Sequence, residues 1–355
     1  MRSMSDIRPN LGGRDDAVRL LRGAARRRAS VTSDLFLPEP LRLSERDRLI
    51  ARDLLARLVR TIEDELRAAL APRFAGQEAL AAALASAHVE IAGPVFDGTA
   101  ALGDPDLVSL LLRRAEEHRL FRAAPNRTER LQALIADRDP VIAADAMAVL
   151  IARSRRLDRF QEPMLARTEL PADLQHRFVW TVAAALRTYM VEFHAIDSAA
   201  ADAALAEAAA GLIAGYDEGD ALEARCIRLA RRLHGDARLD GAAIAAFLLE
   251  GTLPLFLAGL SAATGIAYDA VWEILADPAE RGPATLLAAA GLDRQQAGDV
   301  LLCLAAVPVE ASLVRQIALF DMLDAAAASR ALSLWALDPA YRMAVLRLSE
   351  PAGEA

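Results

Sequence analysis

Leu134-Ile135-Ala136-Asp137-Arg138-Asp139-Pro140-Val141 is the stretch that decides the fold. It closes one apolar run, makes an acidic turn and opens another apolar run. An Asp at a helix start accepts a hydrogen bond from an orphan backbone N–H, and Pro, which has no N–H and a fixed φ, fits the first helical position. The stretch therefore reads as helix end, turn and helix start, the form of a HEAT-like unit. The Asp-Pro pair recurs at Asp104-Pro105, Asp277-Pro278 and Asp338-Pro339. Asp104, Asp139 and Asp338 precede clean apolar runs. Asp277-Pro278 is followed by Gly282-Pro283 and is expected to open a turn or a broken helix. The starts at 104 and 139 lie 35 residues apart, which suits a helix-pair repeat somewhat shorter than the usual HEAT period. The expectation is a short HEAT-like array at 104–153, not a solenoid along the whole chain.

Composition agrees. Hydrophobic residues make up 54% of the 355 residues and aromatics only 5%. Ala and Leu, both good helix formers, supply most of the apolar surface. No apolar run alternates with period 2, so strands are not expected. A chain of this length can bury roughly 75% of the surface its unfolded form exposes. The sequence contains no Lys, so all 41 basic residues are Arg. That excludes a P-loop, a pyridoxal or Schiff-base site and a protein kinase, each of which needs a Lys amine. The formal net charge of −8 argues against nucleic-acid binding by bulk electrostatics. Cys226 and Cys303 are expected as small buried hydrophobes in a reducing, cytoplasmic compartment.

Residues 1–43 read as a basic tail and linker. Asp15 to Ser30 could form a short helix with Val18, Leu21 and Ala25 on one face and many arginines around it, and the first 30 residues lack the apolar stretch of a signal peptide. A helical HEAT-like domain is expected at 44–235 and a helical C-terminal domain at 236–355. The first strong helix, 44–71, is long enough to offer a seam for a second copy. Further helices are expected near 76–87, 89–97, 104–120, 126–136, 140–153, 172–194, 198–215 and 219–234, and from 240 to 348 in eight more segments. Gly251 to Tyr268 runs 18 residues without a charge, near the length a membrane span needs. Its glycines, Pro254 and the stop at Thr264-Gly265 favour a buried core helix, so no membrane is expected.

No cofactor, metal or catalytic motif is expected. The five histidines do not pair at metal-ligand spacing, and no nucleophile elbow or dinucleotide fingerprint occurs. His118, near a helix C-terminus, reads as a cap. Glu192 and His194 point apart on a helix. The remaining candidates are arginine clusters, because guanidinium forks match phosphate and carboxylate. Arg153, Arg155, Arg156 and Arg159 fall at a helix end and could take an anionic small molecule such as a nucleotide. Arg26, Arg27 and Arg28 could steer an acidic partner or weakly bind nucleic acid.

Val89-Glu90-Ile91-Ala92-Gly93-Pro94-Val95-Phe96, Leu102 to Val108, Phe160 to Pro171, Val179 to Arg187, Glu250 to Phe256 and Val271 to Pro278 resemble the alphaproteobacterial family DUF2336. The resemblance covers roughly residues 60–325. It implies a soluble, helical, cytoplasmic protein of bacterial signalling or regulation and carries over no catalytic residue. The chain is thus expected to be all-α, with HEAT-like helix pairs in the N-terminal half and a helical bundle in the C-terminal half. Its expected role is a non-enzymatic interaction module with a protein partner.

Overall fold

Apolar residues at Ala51, Leu54, Leu55, Leu58, Ile62, Leu66 and Leu70 recur every three or four positions and are all buried, which makes Glu45–Leu70 one amphipathic helix, α1. The computed structural model describes Leu20, Leu21 and residues 45–97, 104–124, 129–158, 160–276, 281–305 and 310–348. Among them there are helices and turns and no strand, as the composition requires.

Helices follow α1 in chain order. They are α2 (Glu78–Ala85), α3 (Gly93–Asp97), α4 (Pro105–Ala123), α5 (Glu129–Ile135), α6 (Pro140–Arg156), α7 (Ala172–His194), α8 (Ser198–Ala214) and α9 (Leu222–Gly235). Then come α10 (Gly241–Leu249), α11 (Leu253–Thr264), α12 (Tyr268–Leu275), α13 (Arg281–Ala289), α14 (Arg294–Leu304), α15 (Glu310–Asp321), α16 (Ala325–Ala331) and α17 (Pro339–Leu348). Three of the Asp-Pro pairs cap helices as expected. Asp139 Oδ1 accepts from Val141 N at 2.8 Å, Asp104 Oδ1 from Leu107 N at 3.1 Å, and Asp338 Oδ1 from Ala340 N at 2.8 Å. Asp277-Pro278 lies outside the described residues. The Asp cap also recurs without Pro, at Asp197, Asp240, Asp293 and Asp324.

Contacts divide the chain into two compact units made of interleaved stretches. One comprises Leu43–Ala115 and Phe160–Ala224; the other comprises Met1–Arg42, Glu116–Arg159 and Arg225–Ala355. The division falls elsewhere than the expected boundary at 235/236, because residues 116–159 group with the C-terminal stretch. Short-range sequence cues such as Gly235 mark the end of a helix but carry no information on which distant helix packs where.

In the first unit α1, α7 and α8 pack pairwise. Leu58, Ile62 and Leu66 of α1 share one core with Val179, Val182 and Leu186 of α7 and Ala201, Leu205 and Ala209 of α8. The small Ala side chains of α8 let its backbone come close. α2 and α3 also pack on α1.

In the second unit α5 and α6 pack on each other across the 136–139 turn, and α5 also packs on α10. Helices α10 to α16 then pack on one another, with α13 against α11, α12, α14, α15 and α16. The uncharged segment is a core helix: Leu253 to Leu260 are all buried. α11 and α12 meet at 105°, and among the described residues no single helix is long and apolar enough to cross a membrane. The bend follows Gly265, left-handed at φ 72°, whose N–H donates to Ser261 O. Gly251 is left-handed at φ 71° for a second reason: a Cβ there would lie 2.7 Å from Ala124 Cβ and 3.0 Å from Phe121 Cα. Only glycine suits that position.

Two expectations need correction. The helix foreseen over 89–97 is only Gly93–Asp97, and residues 86–92 are irregular, because side chains of α1 take up their backbone groups. His118 lies more than a turn inside α4 and is buried at 6% exposure, so it does not cap the helix. Of the two thiols, Cys226 is buried and Cys303 only partly so.

Candidate interaction groove

Three side chains of α1 organise the loop at 86–92. Glu63 and Arg67, one helical turn apart, form an ion pair at 2.9 Å with both side chains at 3% exposure or less. The Glu63 carboxylate also accepts from Ala92 N at 2.8 Å and from Ile91 N at 3.2 Å. Arg67 donates to Val89 O at 2.7 Å and Ser86 O at 3.0 Å. Arg60 donates to Ala87 O and, at 3.1 Å, to Val89 O, and pairs with Asp64 at 3.4 Å. The backbone groups that a helix over 89–92 would have paired internally are thus met by α1 side chains. A buried ion pair is tolerated when most of its remaining hydrogen-bonding capacity is filled; here the Glu63 carboxylate and both terminal nitrogens of Arg67 are engaged, while the buried Arg67 Nε has no partner.

The loop so held forms one wall of a groove along α1. Leu49, Arg52, Asp53, Ala56 and Arg60, at helical spacing, form the facing wall, and Glu90, Gly93 and Phe96 lie opposite. Leu55, Val59 and Phe96, all buried, make an apolar floor, and Phe96 stacks on Phe178 at 5.3 Å between ring centres. The groove encloses about 680 Å³. Leu49 at its edge is 58% exposed. Both signs of charge rim it: Arg52 beside Asp53, and Arg60 3.7 Å from Glu90. Such a trough accepts an amphipathic helix, apolar side down and charges at the rim.

The arginines singled out in the sequence lie in the other unit, at the end of α6. Arg153 is buried, with its guanidinium 5.1 Å above the Phe121 ring and a donated bond to Glu250 O at 3.4 Å. Arg156 pairs with Glu117 at 2.9 Å, both side chains under 5% exposed. Arg155 is exposed. Arg159 lies outside the described residues, as do Arg26, Arg27 and Arg28. The structure therefore brings Arg153 and Arg156 together with Glu117, Phe121 and Glu250, as packing contacts. Burial raises the Glu250 carboxyl above its usual value, against the backbone N–H of Arg130, which donates to it at 2.9 Å. A helix C-terminus also carries partial negative charge, which disfavours an anion there.

Two further arginines are also spent on structure. Arg114 is buried and donates to Met164 O at 2.6 Å, and Arg232 pairs with Asp145 at 2.9 Å. Among the described residues no group of three or more His, Cys, Asp or Glu side chains is placed to hold a metal ion. The sequence pointed to the 44–71 helix as a seam but missed the groove. Its only signal was Leu49, an apolar residue that continues the α1 pattern past the buried stripe.

An all-α chain of two helical units, with an apolar trough on its longest helix, falls in the class of helical proteins with surface grooves. The chain belongs to a bacterial family, DUF2336, described as an uncharacterised protein conserved in bacteria, whose pattern matches residues 91–333. No curated protein and no solved structure matches it.

Proposed function

We propose that the chain is a non-enzymatic helical interaction module of bacterial signalling or regulation, and that the α1 groove receives α1 of a second copy. The observation that carries the reading is the groove itself: an apolar floor of Leu55, Val59 and Phe96 beside the exposed Leu49. Its rim of mixed sign is self-complementary, since an antiparallel copy of the same helix, related by a two-fold axis, would set Arg52 against the opposing Asp53. The charged groups beside the floor, Glu63, Arg60 and Arg67, are taken up in holding the 86–92 backbone. HEAT-like pairing is supported by α5 and α6, joined by the Asp139-capped turn. Cys226 and Cys303, neither in a disulfide, fit a cytoplasmic setting.

Light scattering on the full chain tests the reading. A dimer that Leu49→Arg converts to monomer, with the helical circular dichroism unchanged, supports it. A strict monomer at high concentration, or a dimer indifferent to Leu49→Arg, sinks it. An anionic ligand on the α6 arginines ranks below this reading, because two of the three described guanidinium groups are already engaged. Stabilisation by a nucleotide in a thermal-shift panel would restore it.

A further inference from the structure

Helix α6 is apolar on two faces. Ile142, Ala146 and Val149 are buried, as the inner face of an amphipathic helix requires. On the outward side Val141, Ala144, Ala148 and Ile151 recur at spacings of three and four, with Met147 beside them. Val141, Met147 and Ile151 are 45%, 41% and 45% exposed; Ala144 is exposed and Ala148 half-buried. Single exposed apolar residues are ordinary on a protein surface, but a run of five along three turns with no charge among them is a patch. It is about 15 Å long at 1.5 Å per residue. Ala144 and Ala148 sit between the larger side chains, which leaves the ridges and notches that another helix packs into.

Charge identifies the occupant. The carboxylates around the face are engaged: Asp137 by Arg238, Asp139 by the N–H of Val141, and Asp145 by Arg232 at 2.9 Å. Asp158, past the helix end, is not free either. Two guanidinium groups bracket the face. Arg138 stands in the turn before Val141, and Arg155 lies one turn beyond Ile151. Both are exposed, and neither has an ion-pair partner among the described residues. A second copy of α6, antiparallel or parallel, would set guanidinium against guanidinium, which is repulsive. The complementary occupant is a helix of another protein with an apolar stripe and a carboxylate at each end, roughly 25 Å apart.

We propose that the outward face of α6 docks an amphipathic helix with acidic ends, carried by a partner protein. The stripe takes the partner's apolar side chains, and Arg138 and Arg155 take one carboxylate each. Arg155 is thus the arginine of its cluster that serves binding, while Arg153 and Arg156 serve packing. The site does not involve α1 and stands whether or not the chain dimerises there.

The test uses the full chain and two fluorescent helical peptides of about 18 residues with the same leucine stripe, one ending in Glu on both sides and one in Arg, read by anisotropy. The Glu-ended peptide should bind, and the Arg-ended peptide should bind about tenfold more weakly. Ile151→Asp should weaken the Glu-ended peptide by about tenfold or more. Arg155→Glu should weaken the Glu-ended peptide and strengthen the Arg-ended one, a reversal that a loss of folding cannot produce. Binding of neither peptide, equal binding of both, indifference to Ile151→Asp, or no reversal in Arg155→Glu overturns the proposal. A dimer that Ile151→Asp dissociates also overturns it, because a second copy then covers the face.

Discussion

Glu63 shows how much one residue decides. Its carboxylate meets a guanidinium and two backbone N–H groups in a site closed to water. Glu63→Ala should leave the buried Arg67 with only the distant, exposed Asp64, 4.0 Å away, as counter-charge and should cost about 3 kcal/mol. Urea unfolding followed by circular dichroism measures it. Pairing Glu63→Leu with Arg67→Met should cost less than the sum of the single changes, because neither partner is then left charged and buried. Strict additivity of the two would show that the pair is not coupled. The sequence placed Glu63 and Arg67 on one helix at i, i+4, and nothing more. That this pair faces inward and writes the path of 86–92 depends on a loop 19 or more residues away.

At the scale of elements, most helix ends were legible because they are set by local chemistry. Asp139 before Pro140 caps α6, and Thr264-Gly265 stops α11. The failure at 89–97 has the converse cause: propensity favoured helix, and side chains of α1 outbid it for the backbone. A second local device ties the α5–α6 turn to the segment before α10. Arg238 hydrogen-bonds both oxygens of Asp137, at 3.2 Å to Oδ1 and more closely to Oδ2. That bond, with the N–H of Asp139 beside it, lowers the Asp137 carboxyl to about 2. A carboxyl lowered in the folded state binds fewer protons there than when unfolded. Its contribution to stability is therefore complete above the ordinary carboxylate value, near 4, and is lost as pH falls through about 2. Arg238→Ala should move the Asp137 titration part of the way back toward its ordinary value, since the Asp139 N–H remains. Carboxyl carbon shifts in an NMR titration report it, and an unmoved midpoint would remove Arg238 as the cause.

For the whole molecule the decisive fact is interleaving. Residues 116–159 belong with 225–355, and the reasons are particular. Gly251 lies against Phe121 and Ala124, Arg153 donates to Glu250 O, Arg119 donates to Cys303 O at 2.9 Å, and α5 packs on α10. A fragment of residues 44–235 should consequently keep α1, α7 and α8 protected in hydrogen exchange while α5 and α6 exchange freely. Equal protection of both regions in that fragment would show that residues 116–159 do not need the C-terminal stretch. The expected split at 235 could not anticipate this, because each of those contacts joins residues about 100 or more positions apart.

By itself the sequence determined the helices, their caps and the all-α class, since Ala and Leu periodicity, Asp caps and Gly stops act within a few residues. Its family pattern was legible for the same reason, as a string of helix ends and apolar runs. The tertiary structure alone decided which arginines are buried, where the groove lies and how the two units share the chain. Those depend on which faces of distant helices meet, and burial turns a charge that looked available, such as Arg153 or Arg156, into part of the packing.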